Sequence, residues 1–250
     1  MRYALWDGAP IMQEEIEMDL EQALKDMSSY KFGQSRESLV AIGNFVRDSY
    51  NKPAEREQLR KRLAGFLSSD ATPDSKRFAC EQLSIIGTAE EVPALARLLT
   101  DEDLSHPARI ALERILDAAA GDALRDALSK TKGKLLIGVI NSLGERREEA
   151  SAGALLKLLN NSDEAVAGAA AAALGKIGGR EAIRALVAAR PTASPKLRPI
   201  IADALLACAE RVLKNGRKEA ARRIYEGLAS PDEAREVQEA ARRGLKAVEQ

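Results

Sequence analysis

The stretch Ser162–Ala189, SDEAVAGAAAAALGKIGGREAIRALVAA, constrains the fold more than any other part of the chain: a helical pattern, a double glycine and a second helical pattern. Its five consecutive alanines, Ala169–Ala173, favour a helix and leave only short side chains, so neighbouring helices must approach closely to bury them. The pattern recurs along the chain. Ile86 and Ile115 lie 29 residues apart, Ile115 and Leu143 28, and Leu143 and Ile177 34. In the companion helices Leu95, Leu124, Leu155 and Ile183 follow one another at 29, 31 and 28. One such helix pair cannot bury its apolar face alone and must stack on its neighbours, which is the logic of an α-solenoid. Through Gly133–Arg147 two registers fit, matching either Ile140/Leu143 or Leu143/Arg146 to Leu174/Ile177. The first is preferred because it sets Gly144 opposite Gly178 and keeps an arginine out of the core.

The rest of the chain extends the same theme. Ile16, Leu20, Ala23, Leu24 and Met27 form one helical stripe, and Ser35 is placed to cap a second through Leu39, Ile42, Gly43, Val46 and Tyr50. Thr72-Pro73 opens a fourth helix, with threonine as N-cap and proline at the first helical position. Ser194-Pro195 opens a longer helix through Ile200, Leu205 and Cys208 to Asn215-Gly216. Ser230-Pro231-Asp232-Glu233 has the spacing of a capping box for a last helix ending near Val248. No segment reads as a strand. The expected fold is all-α, a right-handed α-solenoid (superhelix) of about seven antiparallel helix pairs. Residues 1–12 are its lead-in, 13–193 its repeats, and 194–250 a long-helix capping region of the same continuous solenoid, because a terminal repeat must be polar to stop further stacking.

Composition narrows the function. With 38 basic against 38 acidic residues, the chain lacks the overall positive charge that draws a nucleic-acid binder to phosphates. Cys80 and Cys208 sit inside apolar helical patterns, roughly 40 Å apart at about 10 Å per helix layer, and read as separate buried thiols. His106 is the only histidine, which excludes an HExxH zinc site, and it reads as an exposed residue in a first helical turn. The glycines of Lys176–Arg180 follow a helix and lack the GK[ST] ending of a phosphate loop, so Gly178 is read as a helix C-cap. No catalytic, metal or cofactor site is expected. The first thirteen residues lack a signal-peptide pattern and no apolar run reaches the ~20 residues of a membrane span, so the expectation is a soluble, cytoplasmic chain.

Asp163-Glu164-Ala165-Val166, Ala169–Ala173, Leu174-Gly175-Lys176-Ile177-Gly178, Ala182-Ile183 and Leu186 resemble the HEAT-like repeat of the phycobilisome-lyase type, an armadillo-like motif. The resemblance extends more loosely over Ala54–Ala189. Ala209, Gly216, Ala221 and Tyr225 are spaced like a single tetratricopeptide hairpin. The HEAT-like resemblance implies a curved stack that binds partners, with its second helices on the concave side and an arginine in their first turn. Arg77, Arg109, Arg198 and Arg235 match that arginine, whereas Gly133 and Ala167 depart from it. The expected binding groove is charged at Arg77/Glu81 and Arg109/Glu113 and apolar at Gly133/Ile137 and Ala167/Ala171, suited to an amphipathic segment of a protein partner. The expected role is a non-catalytic scaffold for protein–protein interaction. Two alternatives rest on resemblance: a nucleic-acid-acting protein like the DNA glycosylases built from HEAT-like repeats, and a chromophore or cofactor lyase. Balanced charge and few aromatics weigh against the first, and the lack of a placed reactive Cys or His against the second. The basic residues near the C-terminus, Lys214 to Arg223 and Arg242 to Lys246, alternate with glutamates and read as a solvated face.

Overall fold

A computed structural model describes residues 18–250; Ile16 and the 1–12 lead-in lie outside the described residues. Among the described residues there are fourteen α-helices and no strand: α1 (Leu20–Ser28), α2 (Glu37–Asp48), α3 (Pro53–Phe66), α4 (Pro73–Ile86), α5 (Val92–Ala96), α6 (Ser105–Arg114), α7 (Ala118–Ala127), α8 (Gly133–Glu145), α9 (Ala152–Leu158), α10 (Glu164–Ile177), α11 (Gly179–Ala189), α12 (Leu197–Lys214), α13 (Lys218–Leu228) and α14 (Arg235–Glu249). They form a row of first helices (odd numbers) and a row of second helices (even numbers); each unit packs on the next through the second-helix row, and the first helices touch at α3–α5, α5–α7 and α9–α11. The chain is an all-α solenoid.

Local chemistry sets the helix starts. Thr72 Oγ1 accepts from the Ser75 amide at 3.2 Å with Pro73 following, as its sequence implies. Asp19, Asp117 and Asp163 cap α1, α7 and α10 in the same way. Ser35 sits one residue short of the cap: Arg36 takes that position, and the Ser35 hydroxyl accepts a long 3.4 Å bond from the Glu37 amide. A capping box forms instead at Thr88/Glu91, where Glu91 Oε2 accepts from both the amide and the hydroxyl of Thr88 at 2.9 Å. The box expected at Ser230/Glu233 does not form. The last helix begins at Arg235, and the Glu233 carboxylate is buried between Arg190 (3.2 Å) and Arg198 (3.0 Å). Two guanidinium groups hold a buried carboxylate more strongly than a neutral backbone amide does.

The stack of second helices fixes the register and corrects the one preferred from the sequence. Three contacts repeat at one level of successive helices. Ser142 Oγ donates to Glu113 Oε1 at 2.6 Å. A Cβ on Gly144 would lie 2.9 Å from the Cα of Ala173, and one on Gly175 2.8 Å from the Cα of Ala204. Each step advances 31 residues, so Gly144 corresponds to Gly175 rather than to Gly178, and Arg146 corresponds to Ile177. The backbone agrees, because Arg147 (φ 52°) takes the left-handed turn that Gly178 (φ 71°) makes one unit later. Arg146 occupies an apolar level with its charge offset by the Glu148 carboxylate, 3.5 Å from Nε. Its side chain is only 7% exposed, and its guanidinium donates to the carbonyls of Leu112 (2.7 Å), Ile115 and Asp117 (3.0 Å) at the open C-terminus of α6. Arg211, one turn further along α12, does the same for α10 through the Ile177 carbonyl at 2.7 Å.

The helices enclose one continuous core in which Cys80 and Cys208 are both buried and free. Burial pushes the Cys80 thiol up to about 12 and that of Cys208 to about 11. The last helix leaves Arg235, Glu239, Arg242, Arg243 and Lys246 exposed, a polar end to the stack.

Candidate binding face

The residues expected to form the groove all lie on second helices, but they do not share one surface. Arg77 and Glu81 are exposed on α4; Arg77 pairs with Asp74 at 2.5 Å rather than with Glu81. Arg109 and Glu113 on α6 turn toward α8. Arg109 Nη1 donates to the Gly138 carbonyl (3.0 Å) and to Ser142 Oγ (3.1 Å), and Ser142 donates on to Glu113. Arg109 Nη2 donates to His106 Nδ1 at 3.1 Å, so the single histidine, exposed in the first turn of α6, is tied to this network. Burial pushes the Arg109 guanidinium below its ordinary value, with Glu113 opposing the shift. The glycine at 138 lets this side chain lie against α8, since a Cβ there would meet the guanidinium at 2.7 Å. Arg109 and Glu113 therefore join two helices rather than face a partner.

Ile137 is half-buried, and Gly133 opens α8 with φ 52°. Ala167 and Ala171 are 1% and 0% exposed, packed inside the stack, and cannot form a groove floor. The cause is the register. At 31 residues per unit, Ala167 and Ala171 correspond to Leu136 and Ile140, which are also buried. The solvent face of α10 is instead Ala165, Ala169, Ala172 and Lys176. The alanine helix packs closely on both sides: Ala173 meets Gly144 of α8, and Gly175 of the same helix meets Ala204 of α12.

In this register the exposed or half-exposed residues of neighbouring second helices fall level: Ile110 and Arg114 on α6, Asn141 and Glu145 on α8, Ala172 and Lys176 on α10, Asp203 and Ala207 on α12. Lys176 and Glu145 pair across the α8–α10 junction. Such a shallow ridge of mixed charge and small side chains can take an extended partner surface. On α10 the sequence pattern points to buried positions, Ala167 and Ala171, because the exposed set depends on a register that Arg146 obscures. Two carboxylate links, one buried and one half-buried, were also missed, although Thr88-x-x-Glu91 carries the capping-box spacing in plain view. Arg60 holds Glu91 at 3.3 Å, and Arg125 holds Glu148 at 3.2 Å.

Among the described residues no group of three His, Cys, Asp or Glu is placed to hold a metal ion, and no helix is long and apolar enough to cross a membrane.

Comparison with known proteins agrees with this geometry. Residues 121–206 match the family model for HEAT repeats, a span from α7 into α12 that crosses residue 193. The matched span carries HEAT-type repeats, and the fold of the described residues as a whole is that of an all-α solenoid. Among solved structures, it is similar to the archaeal HEAT-like repeats protein from Thermococcus onnurineus NA1, at 12% identity over 92% of this chain and 96% of that one, with a TM-score of 0.52. Weaker likenesses are to the CpcE–CpcF complex of phycocyanin lyase from Nostoc sp. PCC7120 (16% identity, 99% of both chains, TM-score 0.46) and to an engineered protein (20%, 92% and 74%, TM-score 0.40). No curated protein matches the chain.

Proposed function

We propose that the chain is a non-catalytic scaffold that binds a protein partner along the ridge of its second helices. The observation that supports this reading is the level alignment of Ile110/Arg114, Asn141/Glu145, Ala172/Lys176 and Asp203/Ala207 across four consecutive helices. At about 10 Å per packed helix the ridge runs roughly 30 Å, the length of a helix of about twenty residues. Among the described residues the two thiols are buried and held protonated, the histidine lies on Arg109, and Arg146 is spent on backbone carbonyls. The alternating charge of the ridge suits a protein surface better than a phosphate backbone.

The test replaces Ala165 and Ala172 together with glutamate in the full chain. Both lie on the solvent face of α10, so circular dichroism stays helical while capture of the partner falls. Unchanged capture, or retention of nucleic acid with no protein partner, contradicts the reading.

A further inference from the structure

On the opposite row, α5 with the 3-10 turn that follows it (Arg97–Thr100) and α7 leave an open groove of about 310 Å³ between them. Its apolar lining is Val92, Pro93, Ala96 and Leu99 from one side, Ala119, Ala123 and Ala127 from the other. Four of these seven side chains end at Cβ and leave space between two packed helices. The α7 wall carries Asp122 and Asp126 one turn apart. Asp122 is bridged to Arg125 of its own helix and remains 62% exposed. Asp126 is exposed and has no salt-bridge partner among the described residues. Lys130 stands beyond them at the end of the groove. Of the charged side chains that line the groove two are acidic and one is basic, so acid outweighs base along it.

We propose that this groove is a docking site for a basic amphipathic helix of a protein partner. The occupant lays small aliphatic side chains, spaced by three and four residues, onto the alanine floor and sets a Lys or Arg across Asp122 and Asp126. Two features select it. Thr100 is the one uncharged polar side chain lining the groove, too few to orient a small molecule, and the carboxylates follow a helical turn, so they match a cation carried on a second helix. Exposed pairs of this kind add specificity and association rate more than affinity, so binding weakens as salt rises. The groove lies on the row opposite the ridge, and substitutions at Ala165 and Ala172 leave it intact.

The experiment selects displayed random peptides of about sixteen residues, some four helical turns, on the immobilised full chain. Asp126→Lys and Ala123→Leu variants serve as comparison targets; one reverses the wall charge and the other fills the floor. Recovered peptides are expected to carry Lys or Arg one turn from aliphatic residues. They should bind each variant roughly tenfold more weakly, while both variants keep the parent circular dichroism and Tm. The proposal is overturned by peptides without basic residues, by equal binding to both folded variants, or by no enrichment. Dimerisation of the chain that Asp126→Lys abolishes also overturns it, since that assigns the groove to a second copy.

Discussion

Arg147 shows how single residues carry this fold. It is the one described non-glycine residue with positive φ, and it stands where the next unit has Gly178. A left-handed conformation costs an L-residue with a Cβ roughly 1–2 kcal/mol; glycine removes that cost but gives part of it back by losing more chain entropy on folding. Arg147→Gly should therefore raise stability by about 0.5–1 kcal/mol in urea denaturation. Gly178→Ala should lower it, because φ 71°, ψ −151° is a conformation essentially restricted to glycine. The buried thiols give a second outcome at this scale. An unfolded thiol ionises near 9, whereas the folded ones hold their protons to about 12 and 11. Above pH 9 the unfolded chain releases protons that the native chain retains, so these two groups lower stability as pH rises through that window. At pH 8 a maleimide should label neither thiol faster than the protein opens; rapid labelling of the folded chain would contradict the burial. What sequence alone missed at this scale was arginine. Arg146 reads as a surface residue by charge, yet its stem lies at an apolar level and its two Nη atoms donate to three carbonyls, with Nε 3.5 Å from the Glu148 carboxylate.

Between elements, the second helices are held at close range by glycine facing alanine. Gly144→Ala and Gly175→Ala each place a methyl within 3 Å of a neighbouring backbone atom, so each should cost about 1–3 kcal/mol by overpacking. The register makes a sharper contrast on α10. Ala167→Glu buries an unpaired carboxylate and should cost about 3 kcal/mol or more, while Ala165→Glu, two residues away and exposed, should change stability by less than about 0.5 kcal/mol. Thermal or urea denaturation of the two variants measures this directly. Element by element, the sequence made most helices and the pairing of α3 to α12 readable, because apolar stripes, Thr72-Pro73 and Gly178 each act through the local backbone. The register of α8 was not readable, since it rests on a contact between Gly144 and Ala173 that no local pattern encodes. The groove between α5 and α7 was hidden for a related reason: α5 is five residues long and continues as a 3-10 turn, so its periodicity is weak.

At the scale of the whole molecule, a linear stack gives two long surfaces, one per row of helices, and the functional account assigns them different work. The second-helix ridge was legible only as a row; the level set of residues on it required the 31-residue step. The C-terminal units belong to the same stack, since α12 touches α10 through Ala204 and Gly175, and Glu233 ties the turn before α14 to Arg190 and Arg198. The central claim is that a partner lies along the ridge. Cross-linking of the full chain to its captured partner, with the linked residues mapped by mass spectrometry, tests it most directly. The account predicts links at Arg114, Glu145, Lys176 and neighbouring ridge positions on at least three consecutive second helices. Links confined to one unit, or spread over both rows alike, would contradict it.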